Sequence, residues 1–335
     1  MKNILVTGGA GFIGSNFINF ILNERENIQI INLDKLTYAG NLQNLTSVEN
    51  YPNYTFIKGD IVNDELVKYI FKRYQISHVI NFAAESHVDR SILSSEIFFR
   101  TNVIGTNILL ENAKNFGVEK FIQISTDEVY GSLGPTGQFE ETNALKPNSS
   151  YAASKASADM MALAYHHTFS VPVIITRCSN NFGPYQFPEK LIPLMIINSL
   201  NNKKLPVYGD GLNVRDWIYV TDHNKAVELV LEKGTAGEIY NIGANSEKKN
   251  IDIVKLILNE VGKSEQLIEF VNDRPGHDRR YAINSGKIRN SLGWKPEHSF
   301  ENGISDTVKW YVDHEKWCSE IVSGDYKKYY ELQYS

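Results

Sequence analysis

The chain has 335 residues, 42% hydrophobic and 22% charged, the composition of a globular protein with a sizeable core rather than of a disordered chain. Its 34 Lys and Arg against 39 Asp and Glu leave a net charge of −5, which carries no general nucleic-acid footprint. Two cysteines, Cys178 and Cys318, are too few for a disulfide framework or a cysteine-rich zinc site.

At about 150 residues per domain, this length accommodates two domains or one large α/β unit. Ile4–Thr7, Ile28–Leu33, Tyr54–Lys58, His78–Asn81, Phe121–Ser125 and Val173–Arg177 read as strands. Most are continuous apolar runs, as expected of a parallel sheet covered on both faces. Helical patterns fall between them, near Phe12–Leu22, Glu65–Tyr74, Glu96–Phe116 and Ala152–Thr168. This alternation predicts an α/β fold with a doubly wound parallel-sheet Rossmann domain. After Cys178 the pattern changes: Asn, Gly and Pro cluster through Asn180–Pro188, and Thr221–Gly243 reads as one more helix and strand returning to the sheet. The expected division is a Rossmann domain over residues 1–178, with 219–245 returning to it, and a smaller, interleaved α/β lobe over 179–218 and 246–335.

Asn3 to Asn23 carries no charge, but its four glycines and several asparagines interrupt any run of the roughly 20 apolar residues needed to span a bilayer. Leu191–Leu200 is too short. A soluble, cytoplasmic protein without a membrane partner is expected.

Gly8, Gly9, Gly11 and Gly14 follow the first strand and open the first helix. Gly9-x-Gly11-x-x-Gly14 satisfies the dinucleotide fingerprint, in which the backbone approaches a pyrophosphate seated on helix-start N–H groups. Asp34 lies 20 residues beyond Gly14 and ends the second strand, where a carboxylate bonds ribose hydroxyls and repels a 2′-phosphate. Although Lys35, a cation, stands beside it, the reading favours NAD over NADP. Gly59-Asp60-Ile61, where a carboxylate can meet the adenine amino group, and Phe82-Ala83-Ala84, with small residues that admit a cofactor, end the third and fourth strands and fit the same crevice.

Tyr151 and Lys155 stand four apart at the start of an Ala-rich helix and so share one face. Pro147, Ser149 and Ser150 precede them as a helix entry. A neighbouring ammonium and a nicotinamide cation would favour the phenolate; a downward shift of three pKa units needs about 4 kcal/mol. Thr126, Asp127 and Glu128 directly follow the fifth strand, at the carboxyl end of the sheet where such folds bind ligands. One protonated and one ionised carboxyl there would supply an acid and a base in one site. The adjacent His166 and His167 point in different directions from a helix, and no metal site is expected.

Seven strings carry a resemblance over nearly the whole chain: TGGAGFIGSNF at Thr7–Phe17, AAESHVDRSI at Ala83–Ile92, STDEVYG at Ser125–Gly131, YAASKA at Tyr151–Ala156, NNFGPYQFPEKLIP at Asn180–Pro193, RDWIYVTDH at Arg215–His223 and RPGHDRRYAI at Arg274–Ile283. With them the chain resembles the extended short-chain dehydrogenase/reductases and, within these, the dTDP-glucose 4,6-dehydratase family. The resemblance implies that Tyr151, assisted by Lys155, takes the C4 hydroxyl proton while hydride passes to NAD, with Thr126 bonding that hydroxyl. Glu128 then removes the C5 proton, Asp127 protonates the departing C6 hydroxyl, and hydride returns to C6.

The resemblance also implies that Phe12, Ile13, Lys35, Leu36, Thr37, Asp60, Ile61, Phe82, Ala83, Ala84, Ser86, Thr101 and Asn181 join the glycines and Asp34 around NAD. For the nucleotide-sugar substrate, dTDP-glucose, it implies contacts from Ser86, Thr126, Asn180, Lys190, Leu191, Pro206, Tyr208, Arg215, Asn250, Arg274 and His277. Arg215 and Arg274 offer forked donors suited to phosphate oxygens. The family also implies a homodimer joined through Glu96–Phe116 and Ala152–Thr168. A nucleotide-sugar 4-epimerase would share the glycines, Tyr151 and Lys155 but needs no Asp–Glu pair, and a non-catalytic NAD-sensing protein would need none of the three catalytic groups.

Overall fold

The computed structural model describes residues 2–321. In chain order, the first half runs β1 (Lys2–Thr7), α1 (Phe12–Glu24), β2 (Ile28–Asp34), β3 (Tyr54–Lys58), α2 (Asp64–Tyr74), β4 (His78–Asn81), α3 (Val88–Leu93), α4 (Glu96–Phe99), α5 (Thr106–Phe116), β5 (Lys120–Thr126), α6 (Ser150–Phe169) and β6 (Val173–Cys178). It continues through β7 (Asn180–Phe182), α7 (Leu191–Leu200), β8 (Leu205–Tyr208), β9 (Val214–Tyr219), α8 (Val220–Lys233), β10 (Ile239–Ile242), β11 (Glu247–Lys249), α9 (Asn250–Glu260), β12 (Ile268–Val271), α10 (Gly286–Leu292), α11 (Phe300–Asp313) and α12 (Glu315–Ile321).

Seven strands form one sheet in the order β10-β6-β5-β4-β1-β2-β3, every neighbouring pair parallel. The apolar runs have their physical reason in the packing. Ile4 and Val6 of β1 face Phe17, Ile18 and Ile21 of α1, while Leu5 faces the other way, into the layer of Val67, Ile70 and Phe71 from α2 and Leu109 and Leu110 from α5. Alternate residues of one strand therefore enter two different cores, and neither face can be polar. The α/β fold with a Rossmann sheet is as expected. The chain after Cys178 leaves the sheet and returns to it with α8 and β10; α8 packs on α1.

The remaining elements build a third core. Ile192, Met195 and Ile196 of α7 meet Ile253, Val254 and Ile257 of α9 and Ile304 and Val308 of α11. Its small sheets pair β7 with β9 in parallel and β9 with β11 antiparallel, and β8 with β12 in parallel. Residues 322–335, the end of the expected lobe, lie outside the described residues.

One element departs from expectation. Glu96–Phe116 was expected as one helix, but Arg100–Gly105, between α4 and α5, is wound as a π-helix. Such a bulge shifts side chains off the 3.6-residue stripe and clusters at functional sites. Among the described residues no helix is long and apolar enough to cross a membrane.

Candidate active site

The strand order reverses between β1 and β4, which opens a crevice at their carboxyl ends. The glycine turn sits there. Gly8 has φ +70°, and a Cβ on it would lie 2.6 Å from the Ala83 backbone nitrogen at the end of β4, so the turn is pressed against the neighbouring strand. A Cβ on Gly14 would lie 2.4 Å from the Gly8 carbonyl oxygen; only glycine lets α1 start so close to β1. At Gly11 no atom other than that carbonyl, at 3.3 Å, approaches the Cβ position, and no side chain caps α1. The N–H groups at the helix start, near Phe12 and Ile13, are left for an anion.

Asp34 ends β2 and holds the turn together. Its carboxylate accepts from the Ala10 N–H at 2.9 Å and the Leu36 N–H at 2.7 Å. Burial pushes this carboxyl upward, and the two N–H groups oppose that shift. Leu36 itself takes φ +55°. Lys35 turns to Asp60, its ammonium 2.7 Å from that carboxylate, while the other Asp60 oxygen accepts from the Val62 N–H at 3.1 Å. The cation beside Asp34 is thus already paired. Thr37 is exposed next to it and Ile61 is buried. Phe82, Ala83 and Ala84 are half-buried along the crevice, as are Ser86 and Thr101. Asn181 is buried, with its amide donating to the Ser179 carbonyl at 3.0 Å.

At the end of β5 the backbone turns into a short 3-10 segment, Asp127–Tyr130. Thr126 Oγ1 accepts from the Glu128 N–H and donates to Asp127 Oδ1, each at 3.3 Å. Asp127 is only 2% exposed, and its Oδ2 has no hydrogen-bond partner among the described residues. Burial, then the charges of Glu128 and Asp216, push its carboxyl well above the usual range. Glu128 lines the neighbouring cavity; burial pushes it up too, but Arg274, Arg215 and Lys190 pull the other way. The two environments therefore differ: Asp127 is closed off and pushed up by burial and like charge, while Glu128, though also raised by burial, faces three cations that favour its charged form.

Ser149 caps α6, accepting from the Ala152 N–H at 3.1 Å, and this fixes Tyr151 and Lys155 in the first turns. Both are buried. Tyr151 packs edge-on against Phe98, 6.4 Å between ring centroids. Burial, and after it the Glu128 charge, hold its phenol well above the ordinary value. The Lys155 ammonium donates to the Ile124 carbonyl at 2.6 Å and is pulled down by burial.

The cavity beyond these groups opens into the second lobe. Asn180, Lys190, Leu191, Pro206, Tyr208, Arg215, Asn250, Arg274 and His277 line it together with Glu128. Arg215 stacks over the Tyr281 ring, 4.3 Å from its centroid, and donates to the Val214 and Asp278 carbonyls at 2.8 Å each. Arg274 is paired with Asp89 at 2.7 Å, and the same carboxylate accepts from the Tyr208 hydroxyl at 3.2 Å. His277 Nδ1 lies 2.6 Å from Asp273. Lys190 donates to the Ser86 carbonyl at 2.9 Å. Ser86 thus meets the lobe through its backbone, and neither Ser86 nor Thr126, both expected at the substrate, is among the residues lining the cavity.

Residues 5–307 match the family model described as GDP-mannose 4,6 dehydratase. A curated dTDP-glucose 4,6-dehydratase from Xanthomonas campestris is 49% identical over 98% of each chain. The chain belongs to the dTDP-glucose 4,6-dehydratase family. Two solved dTDP-glucose 4,6-dehydratases superpose closely. The Bacillus anthracis protein, in complex with NAD, is 55% identical with a TM-score of 0.91, over 96% of this chain and 100% of that one. The Streptomyces venezuelae protein, with NAD and a dTDP ligand, is 46% identical with a TM-score of 0.93, at the same coverage.

Three residues of this dTDP-glucose 4,6-dehydratase family member had no assigned role in the sequence reading. Asp89 lies inside the AAESHVDRSI string, but only the fold shows that it anchors Arg274 across 185 positions. Asn102, within the π segment, accepts from the Glu85 N–H at 2.9 Å and donates to the Glu85 carbonyl at 3.0 Å and to Ser154 on α6 at 2.8 Å. It ties the loop after β4 to the helix of Tyr151. Tyr281 stacks on Arg215, and no local spacing announces that contact.

Proposed function

We propose that the protein is a lyase that dehydrates dTDP-glucose to dTDP-4-keto-6-deoxyglucose. The observation that carries the reading is the pair Asp127 and Glu128, one closed off beside like charges and the other open to the cavity and faced by three cations, next to the buried Tyr151 and Lys155. A C4 oxidation needs Tyr151 alone as proton acceptor. Eliminating water across C5 and C6 needs a base for C5–H and an acid for the leaving hydroxyl; we assign the base to Glu128, which the cavity cations help to charge, and the acid to Asp127, which burial and like charges keep protonated more strongly. A 4-epimerase has no use for this pair.

The glycine turn, Asp34 and the uncapped start of α1 fit NAD, and Lys35, the cation next to Asp34 in sequence, is paired with Asp60. NAD bound there would supply the two-electron hydride acceptor for C4. Thr126 holds the C4 hydroxyl toward Tyr151, and Lys155 places positive charge one helical turn below it. Arg215, Arg274 and Lys190 neutralise the diphosphate, and Asn180, Leu191, Pro206, Tyr208, Asn250 and His277 enclose the nucleotide. In this reading residues 1–178 and 219–245 hold the cofactor, and 179–218 and 246–335 hold the nucleotide sugar.

A homodimer fits the same surface that the sequence singles out. Ile97, Phe99 and Ile104 on α4 and the π segment, Phe116 on α5, and Met160 and Phe169 on α6 are each more than a third exposed, an apolar group on the two helices named for an interface. Both cysteines are free and buried, which suits a reducing, cytoplasmic setting.

Protein given dTDP-glucose without added cofactor should yield a 4-keto sugar lighter by one water, and UDP- and GDP-glucose run beside it should react more slowly. Product of unchanged mass, epimerised at C4, would contradict the reading.

A further inference from the structure

Tyr151 and Lys155 begin a stripe on α6 that continues to Asp159, at i, i+4 and i+8, positions that stack on one helical face. Asp159 is completely buried. Its Oδ2 accepts from Arg177 Nε at 2.9 Å, and Arg177 of β6 is itself 2% exposed. The chain of contacts goes on: Arg177 donates to the Tyr130 hydroxyl at 2.9 Å, and that hydroxyl donates to Asn241 Oδ1 at 2.8 Å. One oxygen of Asp159 is thereby fixed. The other, Oδ1, meets no hydrogen-bond donor of ordinary geometry among the described residues.

Asp159 is hydrogen-bonded to one buried cation, Arg177, and stands one helical turn from a second, Lys155, whose charge it influences through space. Lys155 donates to a neutral carbonyl, that of Ile124, which does not offset the cost of burying its charge. Asp159 opposes part of that cost: its charge favours the protonated lysine, while burial still pulls Lys155 down and Asp159 up. The remaining titratable group facing Lys155 is Cys178 on β6, whose thiol burial pushes up to about 12, so it is neutral. Arg177 from β6, Lys155 and the Ser125 side chain from β5 are what faces Asp159.

We propose that Asp159 is a positioning residue for the C4 oxidation: a fixed counter-charge, oriented by Arg177 and Tyr130, that keeps the Lys155 ammonium charged and in place beneath Tyr151. The inference rests on the reading of Tyr151 and Lys155 given above. The competing role is purely structural, with Asp159 needed only to neutralise Arg177.

Asp159→Asn keeps an oxygen for Arg177 but removes the charge. It should leave KM for dTDP-glucose unchanged, since Asp159 is not among the residues lining the cavity. Its kcat at neutral pH should fall roughly tenfold, and the high-pH limb of the kcat profile should move down by about one unit, the size of effect that a lost opposite charge produces. The paired variant Asp159→Asn/Arg177→Gln removes both charges, and should regain thermal stability while keeping the displaced limb. Should the single variant fail to fold, the paired one carries the same test. A normal limb in the paired variant, or an unmoved profile in Asp159→Asn, would overturn the proposal and leave only the structural role. An active Tyr151→Phe control would instead overturn the reading on which it rests.

Discussion

Tyr151→Phe should lower turnover of dTDP-glucose by about 10²- to 10⁴-fold, the range for losing a positioned acid–base group. Binding of the nucleotide should hardly change, because the cations that receive the diphosphate, Arg215, Arg274 and Lys190, sit in the cavity of the other lobe. Folding should survive as well. The Tyr151 ring makes the packing contact with Phe98, and Phe preserves that ring. What disappears is the phenolic oxygen assigned to take the C4 proton. Steady-state kinetics with a nucleotide-binding titration on the same preparation would check this; near-normal turnover would remove Tyr151 from the mechanism.

Glu128→Gln should stop elimination by a comparable factor, about 10²- to 10⁴-fold, and should leave C4 oxidation nearly intact. Rapid-quench mass analysis of a single turnover should then find sugar oxidised at C4 that still carries its C6 hydroxyl. Asp127→Asn should show the same accumulation to a smaller extent, since an amide N–H can still bond the departing oxygen without delivering a proton. The asymmetry follows from the environments: Asp127 is closed off and 2% exposed, while Glu128 faces the cavity and the three cations that favour its charge. If the oxidised sugar formed as slowly as final product, the division of labour would be wrong.

The Rossmann half was legible because its signals are local. A continuous apolar run between two helices can only be a doubly covered strand, and the alternate packing of Ile4, Leu5 and Val6 shows why. The residues singled out at the end of β5 and the start of α6 do come together, since both lie at the carboxyl edge of one sheet. What stayed hidden depends on long-range geometry or on broken periodicity. Asn102 sits in a π segment, where the 3.6-residue rule misassigns faces. Asp89 has no local signal for its role, because its partner Arg274 lies 185 positions away and meets it only in the fold. Asp159 extends the Tyr–Lys spacing by one more turn, so its place on the helix was readable in principle, but its partner Arg177 comes from a strand buried beneath.

One isotope experiment bears most directly on the central claim, that Tyr151 takes the C4 hydroxyl proton as hydride leaves C4 for NAD, while Asp127 and Glu128 eliminate across C5 and C6 in a single enclosed cycle. Substrate deuterated at C4 is converted in ordinary water, and unlabelled substrate in heavy water. The account predicts that the C4 label appears in the C6 methyl of the same sugar and that solvent deuterium enters at C5. Label returned to C4, as an epimerase would return it, or lost from the sugar altogether would contradict it.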